Sequence, residues 1–218
     1  MLRVFVGEDD GGGNPLGVFL DGGAVAEGDR QAVAARLGYS ETVFVDDAQR
    51  GDLRIFTPGV ELPFAGHPLV GTAWLLAQEG TPMDVIRPPA GEVAVRYEGE
   101  MTWVAGRPEW SPPMQFAQHA SPAEVDALDA GDDAAAYHWA WEDEATGRIR
   151  ARAFFREYGI DEDEATGAAA LKLSADVGRE ISISQGQGSR LLAWPLEDGV
   201  AEVGGRTELV DVREDPGR

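Results

Sequence analysis

Two glycines stand where a helix is predicted to begin, and both are candidates for binding an anion. Gly66 precedes His67, Pro68 and an apolar segment, and Gly167 opens a second, alanine-rich segment. A glycine before a proline-initiated helix leaves several backbone N–H groups unpaired at one point, with the positive end of the helix dipole behind them. Such a point can bind a carboxylate or a phosphate. Two such helix starts facing each other would attract a small acid.

Three ionisable side chains could transfer protons. Glu41 lies between Ser40 and an apolar strand, and a partly dry cleft there would raise its pKa toward a range useful for proton transfer. His67 lies at the first helix start, where it is either structural or part of the site. Asp163 lies in an acidic run before the second helix. We expect most of that run to be exposed and one member to point inward.

Several other kinds of site are excluded or disfavoured. The chain has no cysteine, so thiolate nucleophiles, disulfides and cysteine metal sites are excluded. The three histidines lack the close spacing of a metal site, and we assign no role to His119 or His138. No serine lies in a Gly-x-Ser-x-Gly elbow, and the glycines at 11–13 lack the lysine of a phosphate-binding loop. We therefore expect neither a metal nor a cofactor.

The overall charge and hydropathy limit the partners. The 218 residues carry 39 acidic and 18 basic side chains, a formal net charge of −21. A field of that sign repels nucleic acids and anionic membranes. There is no apolar run of about 18 residues, so no membrane span is predicted. The first residues do not read as a secretory signal, and we expect a cytosolic protein.

The elements that must position these residues are short strands around two buried helices. Residues 68–78 and 166–177 are nearly all apolar, which predicts helices buried on most sides. A third helix is predicted over 29–37, ending at Gly38. Strands are predicted at 3–6, 16–20, 42–45, 52–58, 83–87, 92–97, 101–105, 136–142, 148–155, 180–184, 189–194 and 200–204.

The sequence contains a weak internal repeat with a period of about 100 residues. The segments 54–56 (Arg-Ile-Phe) and 152–154 (Arg-Ala-Phe) resemble each other, and an acidic loop follows each. Each half then places a glutamate five residues before its helix glycine: Glu61 before Gly66, and Glu162 before Gly167. The alternative is a chance similarity of two loop–helix junctions.

The proline-rich residues 106–134, which include one short capped helix, separate the two halves. We predict domains at 1–105 and 106–218. The strands at the end of the chain either belong to the second half or return to join the first half.

Five segments in order resemble the phenazine-biosynthesis PhzF-like family. They cover nearly the whole chain, and the stretch from Glu61 to Pro68 (ELPFAGHP) is the most specific. The segments are Gly13-Asn14-Pro15; Ser40-Glu41-Thr42; Phe56-Thr57-Pro58; Glu61 to Pro68 with Gly71; and Glu162 to Gly167 followed by Gln185 to Gly188.

The resemblance implies an α+β fold of the diaminopimelate epimerase type. Two similar halves, each a curled and mostly antiparallel sheet wrapped around a central helix, would be related by a pseudo-twofold axis. The active site would lie between them. The resemblance also implies a homodimer.

The resemblance assigns site residues as well. It makes Glu41 the group that takes a proton from one carbon and returns it to another, with His67 and Asp163 assisting. It implies that Asn14 lines the pocket. The remaining implied substrate-binding residues, which include the backbone expected to hold a substrate carboxylate, are Ser40, Gly66, Thr166, Gly167 and Ala168.

Two departures leave the substrate open. The family commonly has proline after the motif aspartate and serine after Thr-Gly, where this chain has Glu164 and Ala168. Losing a serine hydroxyl removes a substrate hydrogen bond, at a cost of about 1–3 kcal/mol of binding. The chain is also shorter than is usual for the family.

We predict a cofactor-independent isomerase or epimerase that acts on a small carboxylate-bearing metabolite. An amino-acid racemase is the alternative enzyme, since Asp163 could supply a second acid–base group. A non-catalytic binder of a small acid is the alternative outside enzymes. A buried Glu41 with a raised pKa would favour the enzyme, and an exposed one with an unshifted pKa would favour the binder.

Overall fold

The computed structural model describes residues 1–129 and 136–213. Within these ranges the helices are α1 (Arg30–Leu37), α2 (Gly66–Gln78), α3 (Pro122–Asp126) and α4 (Gly167–Val177). The strands are β1 (Leu2–Val6), β2 (Gly12–Phe19), β3 (Glu41–Asp47), β4 (Asp52–Phe56), β5 (Glu61–Leu62), β6 (Val85–Ile86), β7 (Val93–Glu98), β8 (Met101–Gly106), β9 (Gln115–Gln118), β10 (Ala136–Asp143), β11 (Arg148–Phe155), β12 (Ile160–Asp163), β13 (Ile181–Gln185), β14 (Ser189–Pro195) and β15 (Ala201–Leu209).

The strands form one continuous, mostly antiparallel sheet. Its main order is β5-β4-β3-β2-β1-β15-β14-β13-β11-β10-β9. Off this path, β8 pairs with β15 and β7, β6 pairs with β7, and β12 pairs with β11. The parallel pairs are β2 with β3, β9 with β10, and β11 with β13. Because β15 pairs with both β1 and β14, it joins the first half of the chain to the second.

The sheet curls around two central helices. Ten of the thirteen residues of α2 and seven of the eleven residues of α4 are buried. Helices of this kind are apolar on nearly every side because the sheet surrounds them. Helix α2 packs mainly against β8 and β1, α4 packs mainly against β14 and β15, and the two helices contact each other. No helix in the described ranges is long and apolar enough to cross a membrane.

The internal repeat is visible as matched side-chain contacts in the two halves. Arg54 donates two hydrogen bonds of 2.7 Å to the Glu61 carboxylate. Arg152 donates bonds of 2.7 and 2.8 Å to Glu162 in the same way. Each guanidinium also lies over a phenylalanine two residues along the chain, at 5.6 Å in the first half and 5.1 Å in the second. The predicted fold class of two similar α+β halves is therefore confirmed.

The structure adds short strands that the sequence pattern did not indicate. Strand β9 lies within the proline-rich segment and pairs in parallel with β10. Strands β5 and β12 occupy the two acidic segments before the central helices, which we had interpreted as loops. Their two to four residues are too few to show a period of two. The predicted domain division at 105 and 106 stays a prediction, and residues 130–134 of the predicted crossover lie outside the described ranges.

Candidate active site

A small cleft of about 40 Å³ lies between the two halves of the fold. Both halves contribute to its wall, and the wall is largely apolar. Within the part of the chain that the structure describes, this wall carries two carboxyl groups and no arginine or lysine. The lining residues are Glu41, Thr57, Leu62, Ala65, Pro112, Met114, Phe155, Tyr158, Ile160, Asp163, Thr166 and Ala168.

Glu41 is the first residue of β3, and its side chain is only 8% exposed. Its Oε2 atom lies 3.2 Å from Nδ1 of His67, but the angles are not those of a hydrogen bond, and this oxygen has no hydrogen-bond partner. Burial raises the pKa of Glu41 well above its ordinary value of 4.5, and the charge of Asp163 raises it further. A buried carboxyl group in this setting retains its proton to higher pH.

His67 is the second residue of α2 and its side chain is 2% exposed. Burial lowers its pKa to about 3, and a backbone hydrogen bond with Pro15 opposes this shift only in part. The imidazole is therefore neutral near neutral pH. Its Nε2 atom is buried without a hydrogen-bond partner. His67 and Glu41 therefore each have one buried polar atom without a hydrogen-bond partner.

Asp163 ends β12, and both of its carboxylate oxygens accept hydrogen bonds. Asn14 Nδ2 donates to Oδ1 and Thr166 Oγ1 donates to Oδ2, each at 2.6 Å. Burial raises the pKa of Asp163 to about 6. The bonds from Thr166 and Asn14 work in the opposite direction because they stabilise the ionised form.

The two carboxyl groups titrate as a pair. The negative charge of Asp163 makes ionisation of Glu41 harder, in addition to the effect of burial. The hydrogen-bond donors around Asp163 favour its ionised form, and no hydrogen bond reaches Glu41 Oε2. Of the two carboxyl groups, Glu41 is therefore the one that holds its proton to higher pH.

Gln185 supports the site through hydrogen bonds, and the sequence did not predict it as a site residue. This fully buried amide donates to the Asp163 backbone carbonyl and to Thr166 Oγ1, both at 2.8 Å. Its oxygen accepts from the Thr166 backbone N–H and the Tyr137 hydroxyl. Since Gln185 donates to the Thr166 hydroxyl, that hydroxyl directs its own proton to Asp163. The signal was the Gln-Gly-Gln-Gly segment at 185–188, whose order matched the family pattern but suggested no role.

The starts of α2 and α4 lie back to back beside the cleft. A Cβ atom on Gly66 would lie 2.7 Å from the Gly167 carbonyl carbon, and one on Gly167 would lie 2.9 Å from the His67 nitrogen. Ala65, which precedes α2, and Ala168, the second residue of α4, both line the cleft. The N-terminal N–H groups of two helices therefore border one small space, where they favour an anion.

Some of the predicted site residues line the cleft, and the others lie behind its wall. Glu41, Asp163, Thr166 and Ala168 line the cleft. The remaining ones lie behind that wall: His67 beside Glu41, Gly66 against Gly167, and Asn14 with its Oδ1 accepting a 2.7 Å hydrogen bond from Ser40.

Elsewhere in the described ranges, no side chain adds a metal ligand to the cleft. The other two histidines, at 119 and 138, have ring nitrogens 3.0 Å apart and do not line the cleft. Among the described residues, no group of three or more His, Asp or Glu side chains is placed to hold a metal ion. Thr57, Leu62 and Tyr158 line the cleft without having been predicted as site residues.

The raised pKa values of Glu41 and Asp163 predict how the stability of the protein depends on pH. The folded-state pKa values of Glu41 and Asp163 are raised, so the folded protein holds protons that the unfolded chain releases. Their contribution is complete below the ordinary carboxyl pKa and is lost as pH rises toward the folded values. We expect the wild type to lose stability relative to Glu41→Gln between about pH 4 and pH 7, because the amide has no proton to lose. Thermal melts across this range test it, and a difference that is flat or of opposite sign would contradict it.

Comparison with known proteins places the chain among isomerases. The family model for "Phenazine biosynthesis-like protein" (PhzC-PhzF) matches residues 4–140. The chain is 31% identical to a trans-2,3-dihydro-3-hydroxyanthranilate isomerase of Pseudomonas fluorescens, over 83% of this chain and 80% of that protein. It is 46% identical to an uncharacterized isomerase of Pasteurella multocida over 83 residues, which are 36% of this chain and only 28% of that protein.

Solved structures share the fold. A predicted epimerase from Pseudomonas aeruginosa superposes with a TM-score of 0.75 at 24% identity, covering 100% of this chain and 98% of that one. A hydroxyproline epimerase from Agrobacterium vitis, with bound trans-4-hydroxy-L-proline, superposes with a TM-score of 0.55 at 10% identity over 88% of this chain and 83% of that one. At these identities the likeness shows the fold alone.

Proposed function

This chain belongs to the PhzC-PhzF family of phenazine biosynthesis-like proteins and is an isomerase, and from that premise we propose that Glu41 moves a proton between two carbons of a small carboxylate-bearing substrate. One observation carries the proposal. Glu41 lines the cleft with a buried, unpaired carboxyl oxygen, a raised pKa and a neutral histidine at 3.2 Å. A pKa raised toward the working pH suits a group that must both accept and donate a proton.

The helix starts provide a place for the substrate carboxylate. Among the described residues no arginine or lysine lines the cleft, so the N–H groups at the start of α2 and α4 are its available positive partners. The rest of the wall is largely apolar, which excludes water and strengthens the electrostatic interactions inside it. The substrate we propose is therefore a small acid whose remaining part is largely apolar.

The reaction keeps its atoms in balance without another reactant. In the fraction of molecules in which Glu41 is ionised, its carboxylate takes a proton from a carbon whose C–H bond breaks, and the electron pair moves into the adjacent unsaturated system. The same carboxyl group then returns the proton to a second carbon and regains its starting state. Asp163 remains ionised throughout, because Asn14 and Thr166 already donate to its two oxygens. Its charge raises the pKa of Glu41 and so makes ionised Glu41 a stronger base.

An amino-acid racemase is the second candidate, and one observation favours it. Racemisation normally needs two acid–base groups, and Glu41 and Asp163 reach the same cleft from different halves of the fold. The hydrogen bonds to both Asp163 oxygens favour the single-carboxylate isomerase instead. The burial and raised pKa of Glu41 disfavour a non-catalytic binder. The homodimer and the cytosolic location stay predictions.

Solvent-deuterium incorporation tests this proposal. Trans-2,3-dihydro-3-hydroxyanthranilate, the compound in the names of the Pseudomonas relatives, heads a panel of small carboxylic and amino acids incubated in D₂O and followed by NMR. We expect deuterium at one carbon of an isomerised product. Deuterium at the α-carbon of an amino acid, with loss of optical rotation and of all activity in Asp163→Asn, would establish the racemase. Line broadening that shows binding without any exchange would favour the binder.

A further inference from the structure

We propose that Glu164 is a positioning residue whose carboxylate closes a ring of contacts directly behind Asp163. This ring ties the two halves together and holds Asn14 against Asp163. The proposal rests on the proposed function only for the role of Asp163. The contacts themselves are properties of the unliganded protein.

Glu164 is half-buried, and its carboxylate accepts hydrogen bonds from the β13–β14 turn. Ser189 Oγ donates to Oε1 at 2.9 Å, and the Gln187 backbone N–H donates to Oε1 at 2.8 Å and Oε2 at 3.0 Å. Ser189 is fully buried, and its oxygen also accepts a 2.8 Å hydrogen bond from the Gly13 backbone N–H. The serine hydroxyl therefore links a carboxylate of the second half to the backbone of β2 in the first.

The ring closes through Asn14, the residue after Gly13. The Asn14 side-chain amide donates to Asp163 Oδ1 at 2.6 Å and to the Ala165 carbonyl at 2.8 Å. Asp163 and Ala165 are the two chain neighbours of Glu164. Through Ser189, the Glu164 side chain thus fixes the backbone of Gly13, the residue before Asn14. The chain neighbours of Glu164 accept the hydrogen bonds of the Asn14 side-chain amide. Releasing the Glu164 contact would loosen one of the two donors that fix the Asp163 carboxylate.

Two glycines make room for this arrangement. A Cβ atom on Gly186, which has φ of +58°, would overlap the Glu164 carboxylate, and one on Gly12, which has φ of +63°, would overlap the Ser189 backbone. Both φ values lie in the left-handed region that favours glycine. The two turns therefore fit closely around the glutamate and the serine. Proline, common in the family at this position, could not supply the carboxylate.

The charge of Glu164 acts on the same aspartate. It raises the pKa of Asp163, as does burial, and Glu162 in turn raises the pKa of Glu164. The charge of Asp163 in turn raises the pKa of Glu41, which has neutral His67 beside it, and the pKa of Tyr137. The variant Glu164→Gln separates the effect of the hydrogen bonds of Glu164 from the effect of its charge, because it keeps an acceptor oxygen and removes the charge.

The test needs no substrate. Hydrogen exchange of the Asn14 side-chain amide and the carbon-13 titration of the Asp163 carboxyl group are measured by NMR in the full chain. The variants are Glu164→Ala, Glu164→Gln and Ser189→Ala. Asp161→Asn is the control, because it removes a charge from the same acidic run at a side chain that is 89% exposed.

We expect Glu164→Ala and Ser189→Ala each to accelerate the Asn14 exchange by about tenfold or more, and the double variant to add little. Glu164→Gln and Asp161→Asn should keep the slow exchange. The pKa of Asp163 should rise in Ser189→Ala, where the Asn14 donor is loosened, and fall in Glu164→Gln, where only the charge is lost.

Unchanged Asn14 exchange in both Glu164→Ala and Ser189→Ala would overturn the proposal, as would additive effects in the double variant. If Glu164→Ala does not fold, the opposite pKa shifts in Ser189→Ala and Glu164→Gln decide it alone. Failure of the substrate screen would disprove the proposed function and leave these measurements as they stand.

Discussion

Replacing Glu41 by glutamine is expected to slow solvent-deuterium incorporation into the substrate by about 10²–10⁴-fold, the usual contribution of a general acid–base group. The amide fills nearly the same volume but can neither accept nor release a proton at this position. Because the carboxyl group lacks a hydrogen-bond partner for Oε2, the substitution breaks no bond to that atom. Substrate binding should therefore survive while proton transfer stops.

A matched control separates this effect from the loss of any carboxylate. Glu61→Gln removes the acid of the Arg54 pair in the same half of the fold, and Glu61 does not line the cleft. We expect it to retain exchange within a few-fold of wild type, since this carboxylate lies outside the cleft and glutamine can still accept a hydrogen bond from Arg54. Exchange that persists in Glu41→Gln, or falls equally in Glu61→Gln, would show that Glu41 is not the proton carrier.

Replacing Gly167 by alanine is expected to destabilise the protein by about 1–3 kcal/mol, the typical cost of an added methyl group in a close-packed interior. The new Cβ would meet the Gly66 Cα at 2.9 Å and the His67 nitrogen at 2.9 Å, and both are backbone atoms that cannot rotate away. The two helix starts would have to separate. For a chain of this size the melting temperature should fall by about 2–4 °C per kcal/mol.

The same substitution should also impair the site, because the helix that moves carries His67. Gly28→Ala is the control, since its Cβ would meet nothing within 4 Å. Thermal unfolding of both variants beside the wild type measures the effect. A Gly167→Ala protein that melts within a degree of the wild type would show that the helix starts can part at little cost.

The sequence predicted the central features of the fold because they rest on local patterns. The two apolar helices and the matched Arg-x-Phe segments are visible in the chain, and the structure places them as related units. The acidic run before α4 was expected to turn one member inward, and Asp163 is that member. Strand β9 could not be predicted, since its four residues depend on pairing with β10 for their conformation.

The site residues whose types are typical of acid–base chemistry could be predicted from the sequence. The site residues of ordinary polar types could not. Glu41 at the edge of an apolar strand and His67 at a helix start are residue types suited to proton transfer, and the structure brings them within 3.2 Å of each other. Gln185 and Ser189 are ordinary polar residues 22 and 26 positions after Asp163. Their importance comes from the β13–β14 turn folding back onto the start of α4, which is a tertiary contact without a sequence pattern.

The most direct test of the account is a carbon-13 NMR titration of the Glu41 carboxyl group in the wild type and in Asp163→Asn. The account predicts that Glu41 in the wild type ionises well above its ordinary pKa of 4.5, and that its pKa falls in Asp163→Asn because a neighbouring negative charge is lost. Ionisation of Glu41 near 4.5 in the wild type, without a response to Asp163→Asn, would contradict the claim that Glu41 carries the transferable proton.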